Sequence, residues 1–307
     1  MPPAPRRRFQ HRYRVHILLF LATAATTILY GERHYYAFLT EFGHRAVQPA
    51  LEHFIPGGLW YSLAILAILG AHEMGHYVMC RFHGVDATLP YFIPMPMAIT
   101  GTMGAVIRIR EPFPTRAILF DVGVSGPIAG FIVLVPLLFA GLYLSNVHPL
   151  PADFSGFSLG EPLLFTAATR LVWGTIPAGY SLNMHPMAFA AWFGLLATAW
   201  NLLPYGQLDG GHIMYALFGR RTTTISYVTL AGVVALTFLS FSWLFFATLL
   251  VLMAILGALR HPPVTYDGVP PDRGRRVVAV IAAIIFILSF TPRPFELYEA
   301  IRPLTER

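Results

Sequence analysis

His72, Glu73 and His76 stand in the string Ala71-His72-Glu73-Met74-Gly75-His76, inside an otherwise apolar stretch from Gly58 to Cys80 that is long enough to cross a bilayer. Histidines four residues apart share one helix face, one turn apart, where both imidazoles can hold a single zinc ion at Zn–N distances of about 2.0–2.1 Å. Glu73 beside them is then placed to be a general base. Ionisable side chains at membrane depth cost several kcal/mol, so their presence there points to chemistry. The competing reading is a set of polar residues satisfied by neighbouring helices without metal.

A catalytic zinc usually has three protein ligands and one open position for water. The 307 residues include one cysteine, Cys80, which excludes a disulfide framework and a cysteine-based structural zinc site. Cys80 falls one turn after His76 and reads as small apolar filler near a helix end. Histidines and carboxylates remain, and Asp209 is the best candidate for the third ligand. It sits in the run Asn201-Leu202-Leu203-Pro204-Tyr205-Gly206-Gln207-Leu208-Asp209-Gly210-Gly211-His212, where a later apolar span ends on the same expected side of the membrane. Gly210 and Gly211 are expected to let the backbone turn sharply and hold the carboxylate inward. His212, three residues on, is the rival ligand, while His185 falls on the opposite side.

A chain that is 56% hydrophobic and 12% charged has too little polar surface to cover a soluble domain. All 21 basic residues are arginine, and no clustered basic and aromatic face accompanies them, so a nucleic-acid partner is excluded. The expected fold class is an all-α polytopic membrane protein in the lipid bilayer. About seven transmembrane helices are expected, six or eight being the alternatives. The spans are Val15 to Tyr30, Gly58 to Cys80, Ala117 to Leu144, Pro186 to Pro204, Thr224 to Phe241, Trp243 to Leu259 and Val277 to Phe290. Leu163 to Ile176, with Arg170 in its middle, reads as an interfacial helix. The first span reads as retained, a cleaved signal peptide being the alternative.

Four segments follow from this organisation: a basic cytoplasmic tail over 1–14, a first helix and outer loop over 15–57, a catalytic membrane core over 58–217, and C-terminal helices and tail over 218–307. With the tail inside and the spans alternating, most arginines fall on inner segments, as the positive-inside rule requires. His72 then lies eight residues before Cys80, about 12 Å from the cytoplasmic end at 1.5 Å per residue.

Taken together the motifs resemble the site-2 protease family of intramembrane zinc metalloproteases. The resemblance rests on the His72 to His76 string, on Asn201 to Gly210 as Asn-any-any-Pro followed by Leu-Asp-Gly, and on Gly126-Pro127-Ile128-Ala129-Gly130 between them, and it covers about Leu59 to Leu217. It implies one zinc per chain held by His72, His76 and Asp209, Glu73 as base, and Asn201 hydrogen-bonding the substrate backbone or the developing oxyanion. It also implies endopeptidase action on transmembrane segments of protein substrates, by a compact member of bacterial or plastid type without an evident PDZ domain. A bacterial inner membrane is expected because no serine-rich transit segment precedes the first span.

A helix hides its peptide bonds, so such an enzyme must hold its target extended. Gly101-Thr102-Met103-Gly104-Ala105-Val106-Ile107-Arg108-Ile109-Arg110, glycine-rich and then alternating, is expected to form a small membrane-associated β-hairpin between the second and third spans. Gly101, Gly104, Val106 and Ile107, with Asn201, are the candidate substrate-binding residues by strand addition, a plain loop being the alternative. Asp121 reads as an interfacial ion pair, Gly126 and Gly130 as close helix packing, and Trp60, Trp173, Trp192 and Trp243 as anchors or packing. A metal-ion transporter and a noncatalytic membrane scaffold are the rival functions. Neither requires a glutamate between the histidines. No sequence feature sets an oligomeric state.

Overall fold

In chain order the elements are α1 (Tyr13–Leu39), α2 (Leu51–Phe82), β1 (Tyr91–Pro94), β2 (Thr102–Val106), α3 (Arg116–Leu144), β3 (Asn146–Pro149), β4 (Ser155–Leu159), α4 (Leu163–Trp173), β5 (Tyr180–Asn183), α5 (Pro186–Asn201), α6 (Asp209–Phe218), α7 (Thr222–Leu236), α8 (Trp243–Ile255), α9 (Arg273–Ser289) and β6 (Phe295–Glu299). This computed structural model describes residues 8–48, 51–96, 100–151 and 155–299. Among them, three helices are long and apolar enough to cross a membrane: Tyr13–Leu39, Ile55–Phe82 and Arg116–Leu144.

The remaining apolar helices are shorter than the expected spans. α5 has 16 residues, α7 15, α8 13 and α9 17, so each is about 20–26 Å long against a hydrocarbon core of about 30 Å. The expected seven crossings are therefore not established. Hydropathy windows run through breaks that the backbone makes: α5 stops at Asn201 before Pro204, and α7 stops at Leu236 before the turn that precedes Trp243. The first helix is longer than expected. Charge at Glu32 and Arg33 ends an apolar run without ending a helix, and Arg33 stacks over the Tyr30 ring at 4.9 Å.

α1, α2, α3 and α5 form the centre of the bundle, and small residues set their approach. A Cβ on Gly31 of α1 would lie 2.8 Å from Tyr61 Cβ and run into the Gly58 carbonyl of α2, so the helices cross here with backbone against backbone. Thr27 and Ser62 share a hydrogen bond of 2.7 Å across the same contact. Leu134, Leu138, Leu142, Trp192 and Leu195 are fully buried between α3 and α5. Trp192 and Trp243 are packing residues whose Nε1–H groups donate to the carbonyls of Gly160 and Pro292, each at 2.7 Å.

An all-α description is corrected by three two-stranded antiparallel sheets, β1–β2, β3–β5 and β4–β6. A hairpin stands between α2 and α3 as expected, but it begins earlier and ends sooner than residues 101–110. Its first strand is Tyr91–Pro94, paired as Tyr91 with Val106 and Phe92 with Ala105, and Ile107 lies just past the second strand. Gly101 and Gly104 carry positive φ of 69° and 100°, conformations that other residues rarely adopt. A Cβ on Gly101 would also press on Thr26 and Thr27 of α1, so the hairpin lies against the membrane helices.

Residues 8–10 of the tail are tied to the segments around the hairpin. The Phe9 N–H donates to Asp86 at 2.7 Å, Arg8 donates to the Gly84 carbonyl at 2.9 Å, and Arg110 donates to the Gln10 carbonyl at 2.6 Å. Residues 1–7 of that tail lie outside the described residues.

Candidate metal centre

His72, Glu73 and His76 all lie on α2 and all are buried, at 6%, 8% and 6% exposure. Asp209 is the first residue of α6, where a carboxylate also meets the positive end of the helix dipole. His72 Nε2 lies 3.1 Å from Asp209 Oδ2, His76 Nε2 lies 3.3 Å from Asp209 Oδ1, and the two Nε2 atoms are 3.2 Å apart. The two imidazole nitrogens and the Asp209 carboxylate, which meets each ring through a different oxygen, thus converge on one point. Ligands about 2.0–2.1 Å from a tetrahedral zinc stand about 3.3–3.4 Å from one another, and one ligand atom from each of the three side chains lies within 4.8 Å of the others, close enough for a single ion.

The tautomers agree with this geometry. His76 Nδ1 lies 2.7 Å from the Val122 carbonyl, which can only accept, so Nδ1 carries the proton and Nε2 presents a lone pair. Among the described residues His72, His76 and Asp209 are the one group of three or more such side chains able to close on a metal ion.

Two sets of glycines make the approach possible. On α3, a Cβ at Gly126 would enter the His76 ring, one at Gly130 would lie 3.1 Å from His72 Cβ, and one at Gly123 would lie 2.8 Å from His212 Cβ. Gly126 and Gly130 give the close packing expected of them, and Gly123, three residues earlier on the same stripe, does the same for α6. Gly210 and Gly211 serve a purpose other than the expected sharp turn. Both lie inside α6, where a Cβ on either would collide with carbonyls of residues 202–206, so they let that turn close over the first turn of the helix. The positive φ of this segment belongs to Gly206, at 51°.

Asn201, at the end of α5, points its Nδ2 at His72 Nε2 from 3.3 Å. The backbone N–H of Ile107 faces the Glu73 carboxylate, a contact for which the sequence carried no signal. Gly104 and Val106 lie on β2, with Gly101 just before it, and Val106 is 49% exposed. His185 caps α5 among Tyr35, Phe38 and Trp60 and is not part of the metal group. His212 is also outside it, hydrogen-bonded to His261 instead. Asp121 forms a bidentate pair with Arg275, with both contacts at 2.7 Å, and also meets His83 at 3.0 Å.

The profile of Peptidase family M50 matches residues 60–245, from α2 into α8, a stretch that contains every member of the metal group. The chain belongs to this family. Among its relatives are the probable chloroplastic zinc metalloproteases EGY2 of Oryza sativa subsp. indica, 28% identical over 78% of this chain and 43% of that protein, and EGY1 of Arabidopsis thaliana, 29% identical over 83% and 47%. The probable zinc metallopeptidase EGY3 of Arabidopsis thaliana is 30% identical over 60% of this chain and 35% of its own length. The chain therefore spans less than half the length of these relatives. No solved structure matches it significantly. Because the named relatives are chloroplastic, the expectation of a bacterial inner membrane gains no support from them. Two imidazole nitrogens and a carboxylate are a donor set that fits zinc.

Proposed function

We propose that the protein is a zinc-dependent endopeptidase of the membrane that cuts extended segments of membrane proteins within or near the bilayer. The observation that carries this reading is the convergence of His72, His76 and Asp209, with the buried Glu73 on the same helix as both histidines. Bound zinc would supply the Lewis acid that activates water toward a peptide carbonyl. Glu73 takes the proton of the attacking water and returns it to the leaving nitrogen. Asn201, beside His72, donates to the substrate carbonyl as negative charge develops on it. The free edge of β2 holds the target extended by pairing with its backbone, over Gly101, Gly104, Val106 and Ile107.

In this reading 58–217 is the catalytic core. α5, α7, α8 and α9 complete about seven crossings with the bilayer thinned around their short lengths. The metal centre opens toward the arginine-rich face. A metal transporter or a scaffold has no use for Glu73, and this separates the readings. In Glu73→Gln, zinc stays at one per chain while cleavage of a transmembrane reporter falls by about 10²–10⁴-fold. Cleavage at the original rate in that variant removes Glu73 as the base.

A further inference from the structure

We infer that His212 is a substrate-positioning residue whose unprotonated Nε2 accepts an amide N–H of the bound chain, and that His261 holds it in this form through a one-way hydrogen-bond relay. The inference rests on the peptidase reading for its substrate, and on local geometry alone for its tautomers.

The direction of the relay is set at its far end. His261 Nδ1 lies 2.6 Å from the Pro262 carbonyl, an acceptor with no proton to give, so Nδ1 carries the hydrogen. A neutral imidazole has one ring proton, which leaves His261 Nε2 as a lone pair. That atom lies 2.6 Å from His212 Nδ1, so His212 must donate, and its own Nε2 is left bare. Reversing the order would set a carbonyl oxygen against a lone pair at the Pro262 end.

Burial is the leading cause that lowers the basicity of both rings, His212 to a pKa of about 3, which keeps the pair neutral at physiological pH. Tyr215 stacks on His261 with centroids 4.4 Å apart and planes 24° from parallel, and its hydroxyl donates to Asp267 at 3.4 Å, so the outer ring is clamped.

His212 is one turn beyond Asp209 on α6, packed against Gly123 of α3, partly exposed, and near enough to His76 and Asp209 to feel their charge. No donor among the described residues reaches its Nε2. An extended peptide laid across the metal centre presents carbonyls and N–H groups in alternation. Asn201 offers a donor to a carbonyl; a bare imidazole nitrogen can serve only an N–H. The loop after α8 thus acts on the site through His261, although it lies beyond the 60–245 match.

The test uses the full-length zinc-loaded protein in lipid nanodiscs. With ¹⁵N-labelled histidine, the resonances lost in His212→Gln assign that ring, which is expected as the neutral Nδ1–H form, changing when His261→Phe removes its acceptor. With a transmembrane reporter peptide, His212→Ala raises KM about 3- to 10-fold, the worth of one neutral hydrogen bond, with a smaller change in kcat. His212→Gln, whose side-chain oxygen can accept, recovers most of that loss, and both variants keep one zinc per chain. An Nε2–H signal at His212, loss of zinc in His212→Ala, or an unchanged KM would each overturn the inference. A wild-type protein that binds zinc and cuts nothing would count against the peptidase reading, while the tautomer measurement would still decide the relay.

Discussion

At the scale of single residues, the metal centre depends on what three glycines of α3 leave out. In an exposed helix, replacing glycine by alanine stabilises by about 1 kcal/mol, since the glycine backbone has more freedom to lose. Gly232 of α7 meets that condition, with nothing within 4 Å of a Cβ placed there. Gly126 does not, because its Cβ would enter the His76 ring, and a buried clash typically costs about 1–3 kcal/mol. Relief requires the ring to swing away from Asp209 and from the Val122 carbonyl that sets its tautomer. The same substitution should therefore have opposite outcomes. Gly232→Ala is expected to raise the melting temperature slightly and keep full zinc. Gly126→Ala is expected to fall well below one zinc per chain by elemental analysis while remaining helical by circular dichroism. Full zinc in Gly126→Ala would show that α3 can move aside.

At the scale of elements, the proposed function gives the hairpin between α2 and α3 the task of joining substrate to chemistry. Its second strand ends at Val106, and the next N–H, that of Ile107, faces Glu73, so a chain added along β2 would run toward the base. Val106→Pro withdraws one backbone donor from this strand. If the target binds by strand addition, the variant keeps its zinc and its melting temperature within a few degrees but loses most cleavage of a transmembrane reporter. Unchanged cleavage in a folded variant would sink strand addition. The sequence made β2 legible through its glycines and alternation, and it made the metal pair on α2 legible through a fixed four-residue spacing. It hid β1, whose Tyr91-Phe92-Ile93-Pro94 is a short apolar run ending in proline. It also hid α6, which opens on Asp209, Gly210 and Gly211, poor helix formers that are chosen for a ligand and for close packing. Sheet β4–β6 joins Ser155–Leu159 to Phe295–Glu299, and no local pattern announces a partner that far along the chain.

At the scale of the whole molecule, stability is coupled to protons at the end of the bundle away from the metal. His185 accepts the Met187 N–H on Nδ1 at 3.3 Å, capping α5, and its backbone N–H donates to Ser145 Oγ at 3.0 Å. The ring is 5% exposed among Tyr35, Phe38 and Trp60, and burial lowers its pKa to about 4. An unfolded chain binds a proton at this histidine below about pH 6.5, whereas the folded chain waits until about pH 4. Between those values the unfolded state holds the extra proton, so folding stability falls as the pH falls, by up to about 1.4 kcal/mol per unit. Below about pH 4 both states are protonated and this contribution is fully lost. Acid also releases metal from His72 and His76, which would confound a single pH series. His185→Asn separates the two effects, because asparagine caps a helix well and does not titrate here. Both proteins should lose stability through metal release, and only the wild type should show the additional slope between pH 6.5 and 4 in melting temperature. Parallel curves for the two would mean that His185 is protonated in the folded protein, and that the cap on α5 survives the charge.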